Sequence, residues 1–382
     1  MSQVINRLKE FTKEEQCILL LTRVSINKKE YEYIEQLLRD PLFNWDRFMG
    51  LIINHKVAGV VYKKLSNLTS KYSELLEKNY DASILRNRVH FEEIISVANE
   101  FENNRVKYAF LKGAILNHYY YSEGQRVSND TDVFVSMNDL NKVDKVLRGL
   151  GFIQGKFENG RIIQATKKQC LFARMNTYEV IPYVKECSET PFFKYHELDI
   201  NFKIKNGNTN VESEYLINNT CFLDSDVKIR TLTIEKFLIH LAIHLYREAV
   251  MVFKIVNGGD LSLYKFMDIH FFISKNSEKI DWNSLIRDAK NMKVEKDLFY
   301  ALYFTDVLYP FTVDKSIIDM LTPKDTRYLD QYIGNEANNK IYNWNIPFEK
   351  RIFNNLRINE ALQNIGSESK KMKKIFNELK EE

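Results

Sequence analysis

The sequence predicts an α+β fold, a mixed sheet-and-helix core flanked by two helical regions. Three observations carry this. Residues 1–104 show apolar residues at spacings of three and four, with few Pro or Gly. Residues 105–230 hold most of the strand-like runs, and residues 231–382 return to helical periodicity.

In the first region, Tyr31–Leu38 and Leu51–Leu65 read as amphipathic helices, and Ile84–Asn103 as a longer one with its charges on one side. The core supplies strand-like runs at Tyr108–Leu111, Asp132–Val135, Ile162–Ala165, Cys170–Arg174 and Asp199–Ile204. Asn138–Leu150 reads as a helix closed by Gly151. Thr233 is a suitable cap for the next helix, and Glu235 in its first turn complements the dipole. Ser367–Glu382 alternates charge signs and is short of core residues, so a solvated terminal helix or frayed tail is expected.

A chain of 382 residues has room for two or three packed units. Its net charge of +4 makes no case for a nucleic-acid partner. Cys17, Cys170, Cys187 and Cys221 are scattered without a C-x-x-C, so neither a metal cluster nor a disulfide framework is expected. A reducing cytoplasm is the expected setting. The N-terminus lacks a signal-peptide apolar core, and no run approaches the roughly 20 apolar residues of a membrane span. No G-x-x-x-x-G-K-[ST], G-x-G-x-x-G or G-x-S-x-G occurs, which removes P-loop, Rossmann and serine-hydrolase readings.

The stretch most telling for chemistry is Arg126-Val127-Ser128-Asn129-Asp130-Thr131-Asp132-Val133-Phe134-Val135. In an extended strand, residues i and i+2 share a face, roughly 6–7 Å apart. Asp130 and Asp132 therefore aim two carboxylates at one point. Like charges that close repel unless a cation lies between them, and hard oxygen ligands suit Mg²⁺ or Mn²⁺. Ahead of them comes strand, turn, helix: Lys107–Leu111, Lys112-Gly113, then Ala114–Tyr121. Gly113 at a helix start allows close approach of an anion to backbone N–H groups, and Lys112 adds charge there. In His196–Ile204, Asp199, Asn201 and Lys203 share one face while Ile200, Phe202 and Ile204 share the other. If this strand lies beside the acidic one, Asp199 supplies a third carboxylate to a two-metal site for phosphoryl-type transfer. A second pair, Asp224-Ser225-Asp226, lacks this lead-in and reads as a polar turn.

The stretch from about Asn54 to Ile286 resembles the uncharacterised nucleotidyltransferase family of bacteria, a branch of the DNA polymerase beta-like nucleotidyltransferase superfamily. Leu111-Lys112-Gly113 matches its L-K-G element. Arg126, Asp130 and Asp132 match R-x-x-x-D-x-D, and Asp199-Ile200-Asn201-Phe202 matches D-L-H-W with Asn and Phe in place of His and Trp. The resemblance implies a polymerase-beta-like core and metal-dependent transfer from an NTP. It casts Asp130, Asp132 and Asp199 as metal ligands, and Lys112, Gly113, Arg126 and Lys265 as nucleotide contacts. His240 and His244, i and i+4 on an apolar helix, and Asp268 become candidate substrate-facing residues. Their bland readings are buried helix histidines and a local Lys265–Asp268 ion pair.

The sequence therefore points to a Mg²⁺- or Mn²⁺-dependent nucleotidyltransferase. Its donor is an NTP; a small molecule, peptide, protein or RNA end is the acceptor. A nucleotide-binding or regulatory module with little catalysis, and a transferase using a sugar-nucleotide donor, stay open beside it.

Overall fold

Eight strands form one mixed sheet: β1 (Tyr108–Phe110), β2 (Thr131–Val135), β3 (Ile153–Glu158), β4 (Arg161–Gln164), β5 (Tyr183–Glu186), β6 (Tyr195–Asn201), β7 (Thr220–Phe222) and β8 (Arg230–Leu232). Their order is β4-β3-β5-β6-β2-β1-β8-β7. The computed structural model describes residues 2–128, 130–188, 193–204, 210–223, 227–334 and 340–366. Asp224-Ser225-Asp226 and Ser367–Glu382 lie outside the described residues.

β2 pairs with β6 in parallel and β1 with β8 in parallel; the other neighbours are antiparallel. Every residue of β1 and β2 is buried. Both strands lie inside the sheet and carry runs of apolar residues, as strands covered on two faces require. β6 instead alternates, with His196, Leu198 and Ile200 buried and Tyr195, Glu197, Asp199 and Asn201 partly open. That is the period-two pattern expected for Asp199–Ile204, begun four residues earlier.

Contacts group the chain into two compact units. One, Ala58–His240 with Lys275–Asp288, holds the sheet and the long helix Ser73–Asn103. The other comprises Met1–Val57, Leu241–Ser274 and Ala289–Glu382. The segments 1–104, 105–230 and 231–382 follow local helix and strand content, and these units cut across them. In the second unit Arg357 forms a buried two-pronged ion pair with Asp260, Nε to Oδ2 and Nη2 to Oδ1 each at 2.9 Å. A short hairpin of β9 (Gln331–Ile333) and β10 (Ile341–Asn343) places Tyr332 among Val252, Ile255 and Ala361.

Two local expectations are corrected. The run Leu51–Leu65 divides between the helices Trp45–Asn54 and Ala58–Leu65, with Lys56 between them at φ +57°. Cys170–Arg174, read as a strand, lies in the helix Lys167–Asn176. Thr166 caps it, and Gln169 reaches back to the Thr166 N–H, completing a capping box. Leu171, Phe172 and Met175 on this helix are exposed. Apolar content alone suggested a buried strand; the cap decided otherwise. The helix expected at Asn138–Leu150 forms over Leu140–Gly149, and Gly151 follows it at φ +87°, the left-handed conformation glycine accommodates. Among the described residues, no helix is long and apolar enough to cross a membrane.

Candidate functional site

The β2–β6 register places Asp132 directly opposite Asp199. Neighbouring strands lie about 4.8 Å apart, so the two residues are adjacent across the ladder. Asp130 stands two residues ahead of Asp132 at the mouth of β2. The Asp199 face of β6 also presents Glu197, two residues earlier. Glu179 reaches the same edge through a bridge to Asn201. Burial, and then the charges of Asp132, Asp130, Glu197 and Glu179, push the Asp199 carboxyl up to about 8. Burial and then Asp130 push Glu197 up as well. The sheet thus collects five acids on one side, where each additional negative charge costs more.

One cation enters this set directly. Lys112 Nζ lies 2.6 Å from Asp132 Oδ1, with both side chains largely buried. Lys112 begins the helix Lys112–Tyr119 at φ +42°, a left-handed conformation that costs a non-glycine residue on the order of 1 kcal/mol. The Leu111 N–H donates to the Asp132 carbonyl at 3.0 Å, which ties the turn to β2.

Gly113 is also constrained by packing. A Cβ there would fall 1.6 Å from Ser128 Oγ, 2.6 Å from Ser128 Cβ and 2.9 Å from Arg126 Nη1. The loop leading to Asp130 packs directly on the glycine. Arg126, only 6% exposed, donates through Nη1 to Asn117 Oδ1 at 2.6 Å and Ser128 Oγ at 2.7 Å. Asn87 Nδ2 donates to the Arg126 carbonyl at 2.8 Å. Arg126 and Gly113 therefore shape the loop that delivers the aspartates.

The remaining sequence candidates divide between the two units. His240 belongs to the sheet-bearing unit, whereas His244, Lys265 and Asp268 belong to the other. Lys265 Nζ contacts Glu248 Oε2 at 2.5 Å and donates to the carbonyls of Gly259 at 2.6 Å and Asp260 at 3.1 Å. Those three acceptors match the three donors of an ammonium group. His244 Nε2 and Lys254 Nζ also approach Glu248, at 3.3 and 2.9 Å. Burial alone would raise the Glu248 carboxyl; His244, Lys265 and Lys254 overcome it and hold the group well below the usual carboxylate range. Asp268 is buried on the helix Leu263–Lys275.

Glu197, Glu179 and Arg86 were not singled out from sequence. Glu197 was legible, because period two carries the Asp199 face back to it. Glu179 joins the neighbourhood through its bridge to Asn201, and Arg86 through its helix and the charge of Asp130; neither left a local signal.

Among the described residues, no three His, Cys, Asp or Glu side chains already converge as a cation cage. The donor chemistry nonetheless fits a hard divalent cation: the carboxylates are clustered and partly buried, and burial with the neighbouring acids raises Asp199 and Glu197. Residues 41–310 match the model of a family described as uncharacterised nucleotidyltransferase. No curated protein and no solved structure matches the chain.

Proposed function

The chain belongs to the uncharacterised nucleotidyltransferase family, and from that premise we propose that it moves a nucleotidyl group from an NTP to a hydroxyl or phosphate acceptor with Mg²⁺ or Mn²⁺. The observation that carries this reading is the register that sets Asp132 against Asp199 with Asp130 beside them. An acceptor oxygen bonds to the α-phosphorus, the bond to the bridging oxygen breaks, and pyrophosphate leaves. Asp130, Asp132 and Asp199 would hold the cation, which would offset negative charge on the phosphates as the leaving group departs.

The chain's own residues divide the remaining work. Asp199, as a ligand of the second cation site, would help activate an acceptor hydroxyl or phosphate oxygen. Lys112, beside Asp132, would offset negative charge on the developing pyrophosphate. Gly113 and Arg126 hold the loop that sets the spacing of the two aspartates. We place the reaction in the cytoplasm, which the free thiols of Cys17, Cys170, Cys187 and Cys221 favour.

The test is pyrophosphate release from each of the four common NTPs with Mg²⁺ and with Mn²⁺, offered candidate small-molecule, peptide, protein and RNA acceptors. Release that Asp132→Asn abolishes without lowering the melting temperature supports the reading. Tight NTP binding with no release on any acceptor would favour a nucleotide-binding module. Release from a sugar nucleotide and from no NTP would transfer the reading to a sugar-nucleotide donor.

A further inference from the structure

The helix Ser73–Asn103 lays one face along the sheet. Asn87 holds the Arg126 carbonyl, and His90 Nε2 and Thr131 Oγ1 are hydrogen-bonded at 2.6 Å at the start of β2. One turn on, Glu93 receives Lys185 Nζ from β5 at 2.9 and 3.0 Å. Residues four apart share a helix face, so Arg86 lies one turn before His90 on this same side. His90 meets Thr131 at the start of β2, so this face runs toward the mouth of β2; burial lowers the pKa of the Arg86 guanidinium, and the charges of Tyr195 and Asp130 oppose that.

Arg86 is held there in an uncommon way. Its guanidinium carbon sits 4.9 Å over the Phe193 ring. Among the described residues, its Nε is buried and has no hydrogen-bond partner. Other arginines of the same unit are engaged: Arg88 by Glu123, Arg148 by Asp144 and Arg230 by Glu102. Stacking fixes the plane of a guanidinium while leaving its fork of donors available. A buried donor without a partner is costly, so a group in this state calls for an explanation. A phosphate oxygen supplies one, because the planar fork matches phosphate geometry.

We infer that Arg86 is a phosphate-contacting residue of the nucleotide site, gripping the β- or γ-phosphate of the NTP beside Asp130 while Lys112 serves from the Asp132 side. This inference rests on the nucleotidyl-transfer reading and adds to it a residue from the long helix. The competing role is plain charge balance for the acidic cluster. The two differ in what they ask of the side chain: a phosphate contact needs the fork, whereas charge balance needs only the positive charge.

Calorimetry with the Mg²⁺ complexes of the four common NTPs, and with the corresponding monophosphates, separates them. For the NTP that the unmodified protein binds, Arg86→Ala should weaken affinity about 10- to 100-fold. Monophosphate affinity should fall far less, because the β- and γ-phosphates are absent. Arg86→Lys, which keeps charge and loses the fork, should fall between; it and Arg86→Gln decide the matter if Arg86→Ala melts early. Unchanged NTP affinity in these variants overturns the inference and leaves the nucleotidyl-transfer reading intact. So does an equal loss for NTP and monophosphate, or a rise in nucleotide-free Mg²⁺ affinity with no loss of NTP affinity. If the unmodified protein binds no NTP, the transfer reading fails first and this inference falls with it.

Discussion

Gly113→Ala probes the contact on which the aspartate loop rests. The new methyl would meet Ser128 Oγ at 1.6 Å and Ser128 Cβ at 2.6 Å, where ordinary contacts are about 3.5–4.0 Å. The nearest atoms belong to a short side chain close to its backbone, so rotation of Ser128 alone cannot clear them. The Arg126–Ser128 segment has to move outward by roughly 1 Å or more. Such overpacking costs about 1–3 kcal/mol. Displacing Arg126 also strains its bonds to Asn117 and Ser128, each a bond from a charged donor. Against this, Ala is favoured over Gly in a helix by about 1 kcal/mol, and Gly113 has an ordinary negative φ. The expected net loss is about 1–4 kcal/mol by denaturant unfolding. The functional loss should exceed it, because a displacement near 1 Å at a reacting centre costs on the order of 100-fold in rate. The decisive control is the double variant Gly113→Ala with Ser128→Gly, which removes both close atoms. It should recover most of the stability and a large part of the pyrophosphate-release rate. If Gly113→Ala alone lies within about 0.5 kcal/mol of the unmodified protein and keeps full activity, the close packing of this loop is refuted.

Three further outcomes are expected. Asp199 is raised from 3.8 to about 8, so between those values the folded chain holds a proton that the unfolded chain has released; metal-free protein should lose stability as pH rises through that window, by up to about 1.4 kcal/mol per pH unit. Asp199→Asn should flatten the slope in thermal melts run with chelator from pH 5 to 8, and an unchanged slope would refute the assignment. Lys112→Ala should lower kcat/KM for the NTP by about 10- to 1,000-fold while weakening NTP binding less, as steady-state kinetics beside calorimetry would show. Arg357→Met should cost about 3–5 kcal/mol in urea unfolding by stranding buried Asp260, and adding Asp260→Leu should return part of it.

Much of what places these acids together is legible in the sequence. Asp130 and Asp132 stand out because a two-residue repeat has one geometric consequence in a strand. Asp199 stands out by the same rule, and its strand alternates as that rule requires. The decoy at Asp224 and Asp226 was set aside on local context; it lies outside the described residues. The helix mistaken for a strand at Cys170–Arg174 shows the limit of such reasoning. Its apolar residues carried no depth information, and the Thr166–Gln169 capping box was the stronger local signal.

The sequence by itself determined which residues carry the acids, the turn and the lysine, because spacings of one to four residues translate into faces and caps without reference to the rest of the chain. Tertiary structure alone decided which strands became neighbours, and so that Asp132 faces Asp199. It also decided that Arg126 binds Asn117 and Ser128, that Lys265 binds Glu248 and two carbonyls, and that Arg86, from the long helix, comes within reach of the charge of Asp130. These outcomes depend on burial and on partners far apart in the chain. A guanidinium reads the same in sequence whether folding gives it a carboxylate, an amide or only the face of a ring; the packing that surrounds it makes that choice.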